Sequence, residues 1–325
     1  MRRELQRLFY SRLAIAIPML ILFASCQAQK IARLQEKVKD SNCNLIGHKP
    51  YTAEDLPQTL TTNDIELSLQ NHFSPKSIFI ANAMGILPLL EEYIVHVDSA
   101  NTSSNIEYKL LKIEAYQKIL HKINITNLEI SSYASIMDCE EERAEQIASS
   151  LQDIDAKRET FLTVSAIVIG ALGSVLTIAF IDQGNTNDYI GFGTGIIEAT
   201  LGFMILKKGK SIDFNHLDNP LTDIWNQPKV STYYPPSIWF FLTDSNSFGA
   251  PNMSMASELA NRWADFSELN NHENISTKEL LFGSGGAYNA DDLELRASML
   301  DQLESTINLM KQDLEVLSQE LLNID

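Results

Sequence analysis

The chain has 325 residues, 45% of them hydrophobic, enough to bury a sizeable core, and a formal charge of −17 from 42 acids against 25 Lys and Arg. That charge excludes a nucleic-acid partner, because phosphate binding needs clustered cations and no basic stripe of that kind is present. The acids are spread along helical stretches, as a solvated exterior requires.

The first twelve residues, MRRELQRLFYSR, carry Arg2, Arg3, Arg7 and Arg12. The apolar run Leu13–Ser25 follows, too short to span a bilayer comfortably, so residues 1–25 read as a signal peptide. The run ends Leu22-Phe23-Ala24-Ser25-Cys26, which resembles the lipobox of bacterial lipoproteins, although Phe23 stands where an aliphatic residue is usual. The resemblance implies that Cys26 becomes the diacylated N-terminus; the alternative is a signal anchor that stays on the chain. Without Cys26, two thiols remain, Cys43 and Cys139. In an oxidising compartment they would pair; otherwise they are two buried free cysteines.

The N-terminal region, 26–126, reads as helical. QKIARLQEKVKD is a short polar helix, and the Pro-containing stretch after it is a connector. Pro75–Val97 is apolar enough for a buried helix, kinked or broken at Pro88. Ile106, Leu110, Ile113 and Leu120 recur at helical spacing, with Tyr116, Ile119 and Ile123 beside them, and mark an amphipathic helix over 103–124. The long amphipathic helix of 127–160 follows. Tyr133, Met137, Ala144, Ile147, Leu151, Ile154 and Phe161 alternate three and four apart without Gly or Pro, so one helix is expected from Leu128 to Ile181.

Residues 161–206 form two apolar runs joined by the acidic loop DQGNTND, and predict a two-helix transmembrane hairpin. In the first run Ala166, Gly170 and Ser174 are four residues apart. In the second, Gly191, Gly195 and Ala199 are so too, with Gly202 close to that face. Such stripes let backbones approach closely in lipid, either against each other or against other subunits. Glu198 is an intramembrane carboxylate, costly unless protonated, hydrogen-bonded or facing water. It carries either a structural bond, to Thr194 or a neighbouring helix, or an ion pathway that would need an oligomer. Lys157, Arg158, Lys207, Lys208 and Lys210 flank the runs. By the positive-inside rule they place both arms in the cytoplasm, whereas the lipobox places them in the periplasm; the latter is preferred here, the cations being held by anionic headgroups.

The region 207–288 is rich in Asn, Asp, Ser, Pro and aromatic residues, and reads as irregular with one short strand and a helix at MSMASELANRWADFSELN. Trp239, Phe240 and Phe241 are expected as core or at a membrane interface. GSGG at Gly283–Gly286 lacks the Lys-Ser/Thr of a phosphate loop and reads as a linker. The C-terminal heptad helix, 289–325, starts at Asn289 as N-cap with Asp291 and Asp292 in its first turn. Leu293, Leu300, Leu303, Ile307, Met310, Leu314, Leu317 and Leu321 form its seam, which only Arg296 interrupts. Its partner is either the seam Tyr133–Ile154 of the same chain or the same helix of another subunit.

No HExxH, Cys-rich ligand spacing, nucleophile elbow or Walker sequence occurs, so no metal, cofactor or catalytic residue is assigned. The terminal stretch FGSGGAYNADDLELRASMLDQLESTINLMKQDLEVL, with the long helix and hairpin before it, resembles envelope proteins of Bacteroidota, a grouping that carries no assigned activity. The expected fold is mainly α, with long helices, coiled-coil-like segments and the hairpin. The expected role is a structural or assembly component of the cell envelope. An oligomeric pore or translocation component built from the Gly-rich hairpin is the alternative, and an enzyme is unsupported. The expected partners are membrane lipid and either another copy of the chain or an envelope protein.

Overall fold

The computed structural model describes residues 28–39, 43, 50–103, 105–179, 209–216, 218–245, 253–266 and 275–324; the side chains of residues 62 and 172–179 fall outside that description. The protein is mainly α. In chain order the elements are α1 (28–39), α2 (Leu67–His72), α3 (Pro75–Ala83), α4 (Leu87–Thr102), α5 (Ile106–Ala179), β1 (Ile212–Asn215), α6 (Pro220–Asn226), α7 (Pro236–Thr243), α8 (Met255–Phe266), α9 (Ile275–Phe282), β2 (Gly285–Tyr288) and α10 (Ala290–Leu322). The chain divides into two compact units. One comprises Met1–Ser41, Glu145–Phe214 and Ala287–Leu293, and the other Asn42–Ala144, Asn215–Gly286 and Glu294–Asp325.

In the larger unit local chemistry sets the helix ends. Ser74 caps α3 by accepting from the Ser77 N–H, with Pro75 in the first turn, where its missing N–H costs nothing. The break expected at Pro88 lies a few residues earlier. Gly85 turns the chain at φ +67, while Pro88 sits in the first turn of α4. A proline there starts a helix rather than kinking one.

The core of this unit is aromatic. Phe79 of α3 meets Phe240 and Phe241 of α7, each at 5.8 Å between centroids, and Tyr234 stacks on Trp239 at 5.7 Å. Trp239, Phe240 and Phe241 are all buried, so the cluster is core. The stretch 207–245 holds two helices, α6 and α7, where an irregular segment was expected. Each begins at a proline, Pro220 and Pro236. The segment Gly283–Gly286, expected as a linker, runs into β2, which pairs with β1 in a two-stranded sheet.

α5 is continuous from Ile106, so the two helices expected around residues 103–124 and from 128 onward are one. α10 starts with a reciprocal cap. The Asn289 side-chain Oδ1 accepts from the Asp292 N–H at 3.0 Å, and the Asp292 carboxylate from the Asn289 N–H at 3.3 Å. All eight apolar seam residues are buried. Arg296 is fully buried among them, for a definable reason. Its Nη1 donates to Asn219 Oδ1 (3.1 Å) and to the Leu281 carbonyl (3.3 Å). Asn219 Nδ2 donates to the Leu281 and Gly283 carbonyls, and Thr222 Oγ1 to that of Phe282. The last carbonyls of α9 lack intrahelical donors, and these side chains supply them at the negative end of its dipole.

Within the larger unit α10 lies antiparallel to the first half of α5 of the same chain. Ile113 and Tyr116 line one cavity with Leu321 and Ile324. Asp138 and Glu141, further along α5, meet Glu304, nearer the start of α10. The seam is therefore filled intramolecularly. Cys43 and Cys139 are joined by a disulfide, with Cα atoms 5.9 Å apart and a sequence separation of 96.

Among the described residues no helix is long and apolar enough to cross a membrane. Of the hairpin expected at 161–206, residues 161–179 are described and helical, and the described side chains end at Ala171.

Candidate functional site

The smaller unit holds the place where the positions that flank the two apolar runs in sequence meet. α5 enters the apolar run at Phe161, and the chain is next described at Gly209. There the Lys210 N–H donates to both carboxylate oxygens of Asp155, at 3.1 and 2.9 Å. A carboxylate that accepts a backbone N–H makes a charge-assisted bond, and this one fastens the segment that begins at Gly209 to α5. The glycine before the lysine permits the approach. A Cβ on Gly209 would lie 2.3 Å from Asp155 Oδ2. Asp155 and Lys210, which meet at this neck, stand six and four residues in sequence from the ends of the apolar runs at Phe161 and Leu206.

Two further contacts secure the neck. The Gln35 side-chain amide of α1 acts as a strand partner for β1. It donates to the Asp213 carbonyl at 2.7 Å and accepts from the Asp213 N–H at 3.0 Å, so both backbone groups of that residue are satisfied. One turn before the apolar run, Lys157 pairs with Asp153. The Asp153 carboxyl is held below its usual range, first by that hydrogen bond and then, against some burial, by the charges of Lys157 and Lys30.

Beyond the neck α5 carries an exposed aliphatic row. Val164, Ile167 and Val168 are exposed, Ile167 to 66%. Ala166 and Gly170, two of the small residues singled out from sequence, are half-buried, as are Ser165 and Ile169, and Leu162 is buried. Three aliphatic side chains thus face outward, while Ala166 and Gly170 lie on the more covered side beside Leu162 and Ile169. In water this arrangement forfeits roughly 1.5–3 kcal/mol per aliphatic residue; in hydrocarbon it forfeits nothing, and the small face lets another backbone approach.

The remaining site residues read from sequence, Cys26, Gly191, Gly195, Glu198, Ala199 and Gly202, lie outside the described residues, as does the side chain of Ser174. One cluster escaped sequence reasoning. Asp138, Glu141 and Glu304 each place a carboxylate oxygen within 4.8 Å of the others. Burial, then the Asp138 charge, raises the Glu304 carboxyl. No spacing rule joins residues on two helices so far apart in sequence. His216 is pushed down to about 2, chiefly by burial and then by Arg296 and Arg143, so it is neutral at any working pH.

No family model matches this chain, and no curated protein or solved structure matches it.

Proposed function

We propose that the protein is an exported, lipid-anchored helical membrane protein acting as a structural or assembly component of the bacterial cell envelope. Residues 161–206 are its two-helix transmembrane hairpin and Cys26 its acylated N-terminus. The carrying observation is the neck. Asp155 and Lys210, which flank the two apolar runs in sequence, are hydrogen-bonded together, and α5 past Phe161 exposes Val164, Ile167 and Val168; both support a hairpin in a medium other than water. The disulfide between Cys43 and Cys139 supports an oxidising compartment, and with it periplasmic arms. The larger unit, with its seam filled internally, is the exported body that the anchor holds at the membrane; no catalytic role is assigned to it.

The test is fractionation of the envelope with mass spectrometry of the mature N-terminus. The reading expects the protein in the membrane fraction, beginning at acylated Cys26, with arms that proteases reach only once the outer membrane is opened. Recovery in the soluble fraction, or an intact Met1, contradicts it.

A further inference from the structure

α1 is the basic element of an acidic chain. It carries Lys30, Arg33, Lys37 and Lys39 against one acid, Glu36, where the whole sequence has 42 acids to 25 Lys and Arg. Its inward face is Ile31, Leu34, Gln35 and Val38; Val38 is buried and Gln35 is fixed on β1. Lys30, Arg33 and Lys37, three and four residues apart, form a single outward row, and all are exposed. Elsewhere five cations are paired, Lys76 with Asp313, Lys118 with Glu114, Arg143 with Glu140, Lys157 with Asp153 and Arg262 with Glu258, and others such as Lys109 and Lys122 stand exposed among the acids of α5; in α1 the charge of Lys30 also reaches Asp153. Among the described residues none of the α1 cations forms an ion pair.

A row of solvated cations in a chain this acidic matches a surface of opposite sign, and its position names which. α1 is held at the neck through Gln35 and Asp213. Exposed Lys157 and Lys210 lie at the same neck, and the lipobox cysteine precedes α1 by two residues. We propose that the outer face of α1 rests on an anionic phospholipid surface, with Lys30, Arg33 and Lys37 against the headgroup phosphates. This rests on reading residues 161–206 as a membrane hairpin. A juxtamembrane cluster of cations is drawn to anionic headgroups, and salt screens that attraction.

The experiment uses the full chain in vesicles of phosphatidylcholine alone or with about 30 mol% phosphatidylglycerol, and reads hydrogen exchange over residues 28–39. Phosphatidylglycerol should slow exchange across α1 by about tenfold at low salt, and about 0.5 M NaCl should abolish the slowing. The variant K30Q/R33Q/K37Q should lose the slowing while a spin label at Ile167 keeps its oxygen contact. Slowing that is equal in both vesicles, or that persists in the variant, overturns the proposal. So does slowing that follows protein density in phosphatidylcholine alone, which would place another copy on this face. A label at Ile167 that meets water while α1 still responds to phosphatidylglycerol sinks the hairpin instead, and so separates the two failures.

Discussion

Ile167 and Leu303 are both aliphatic residues on long helices, yet one is 66% exposed and the other fully buried. Leu303 belongs to the unit whose core is Phe79, Tyr234, Trp239 and the α10 seam, built as water requires, with large side chains in and charges out. Ile167 belongs to the unit whose helix exposes Val164, Ile167 and Val168 while Ala166 and Gly170 are half-buried. On the proposed membrane reading, the same helical periodicity serves two solvents. What distinguishes them is which size of residue faces inward, because hydrocarbon gives no reward for burying a large apolar group.

The contrast can be broken most severely at the disulfide. Cys139→Ser should cost the larger unit about 4–5 kcal/mol in the chain-entropy account, for a loop of this length, seen as a large fall in Tm on thermal unfolding. Next come paired truncations. Leu303→Ala should cost about 2–5 kcal/mol by denaturant unfolding in detergent, while Ile167→Ala should change stability by less than about 1 kcal/mol; equal costs would erase the distinction. At the neck, Gly209→Ala should displace the Asp155 carboxylate and cost about 1 kcal/mol, measured as faster exchange of the Lys210 amide. The smallest effect concerns Glu304, whose folded pKa is raised. A carboxyl of that kind destabilises the fold above its folded pKa, and the penalty is relieved as pH falls through that value. Glu304→Gln should therefore raise Tm by about 1 °C at pH 7, and the gain should vanish toward pH 4.

The register of α5 and α10 admits a separate check. Met137 and Leu303, both fully buried, fall opposite one another in the antiparallel alignment, so cysteines at the two positions should crosslink within a monomer. Crosslinks found only at dimer mass would return the seam to an oligomer interface.

Where one residue type has one local meaning, the sequence was readable. Asn289 with Asp292, the heptad leucines, and the burial of Trp239 to Phe241 follow from local chemistry alone. Prolines misled because position decides their effect: Pro220 and Pro236 initiate helices in a stretch that reads as irregular, and Gly85 makes the break attributed to Pro88. Segments whose partner lies far along the chain were the least legible. Gly285–Tyr288 becomes a strand because Ile212–Asn215 is beside it, and Arg296 sits in the seam because the carbonyl end of α9 is there. The neck is a mixed case. Its lysines and runs are visible in sequence, but the bond from Lys210 to Asp155 is a tertiary contact that no periodicity encodes.

The most direct measurement places a spin label at Ile167 in the reconstituted, disulfide-bonded protein, with a second at Ser318 as a control on the half-exposed flank of α10, and reads collision with oxygen against a water-soluble nickel chelate. A hairpin in lipid predicts high oxygen and negligible chelate contact at Ile167, and ready chelate contact at Ser318. Chelate contact at Ile167 equal to that at Ser318 would show that the outward aliphatic face meets water, and would contradict the membrane hairpin.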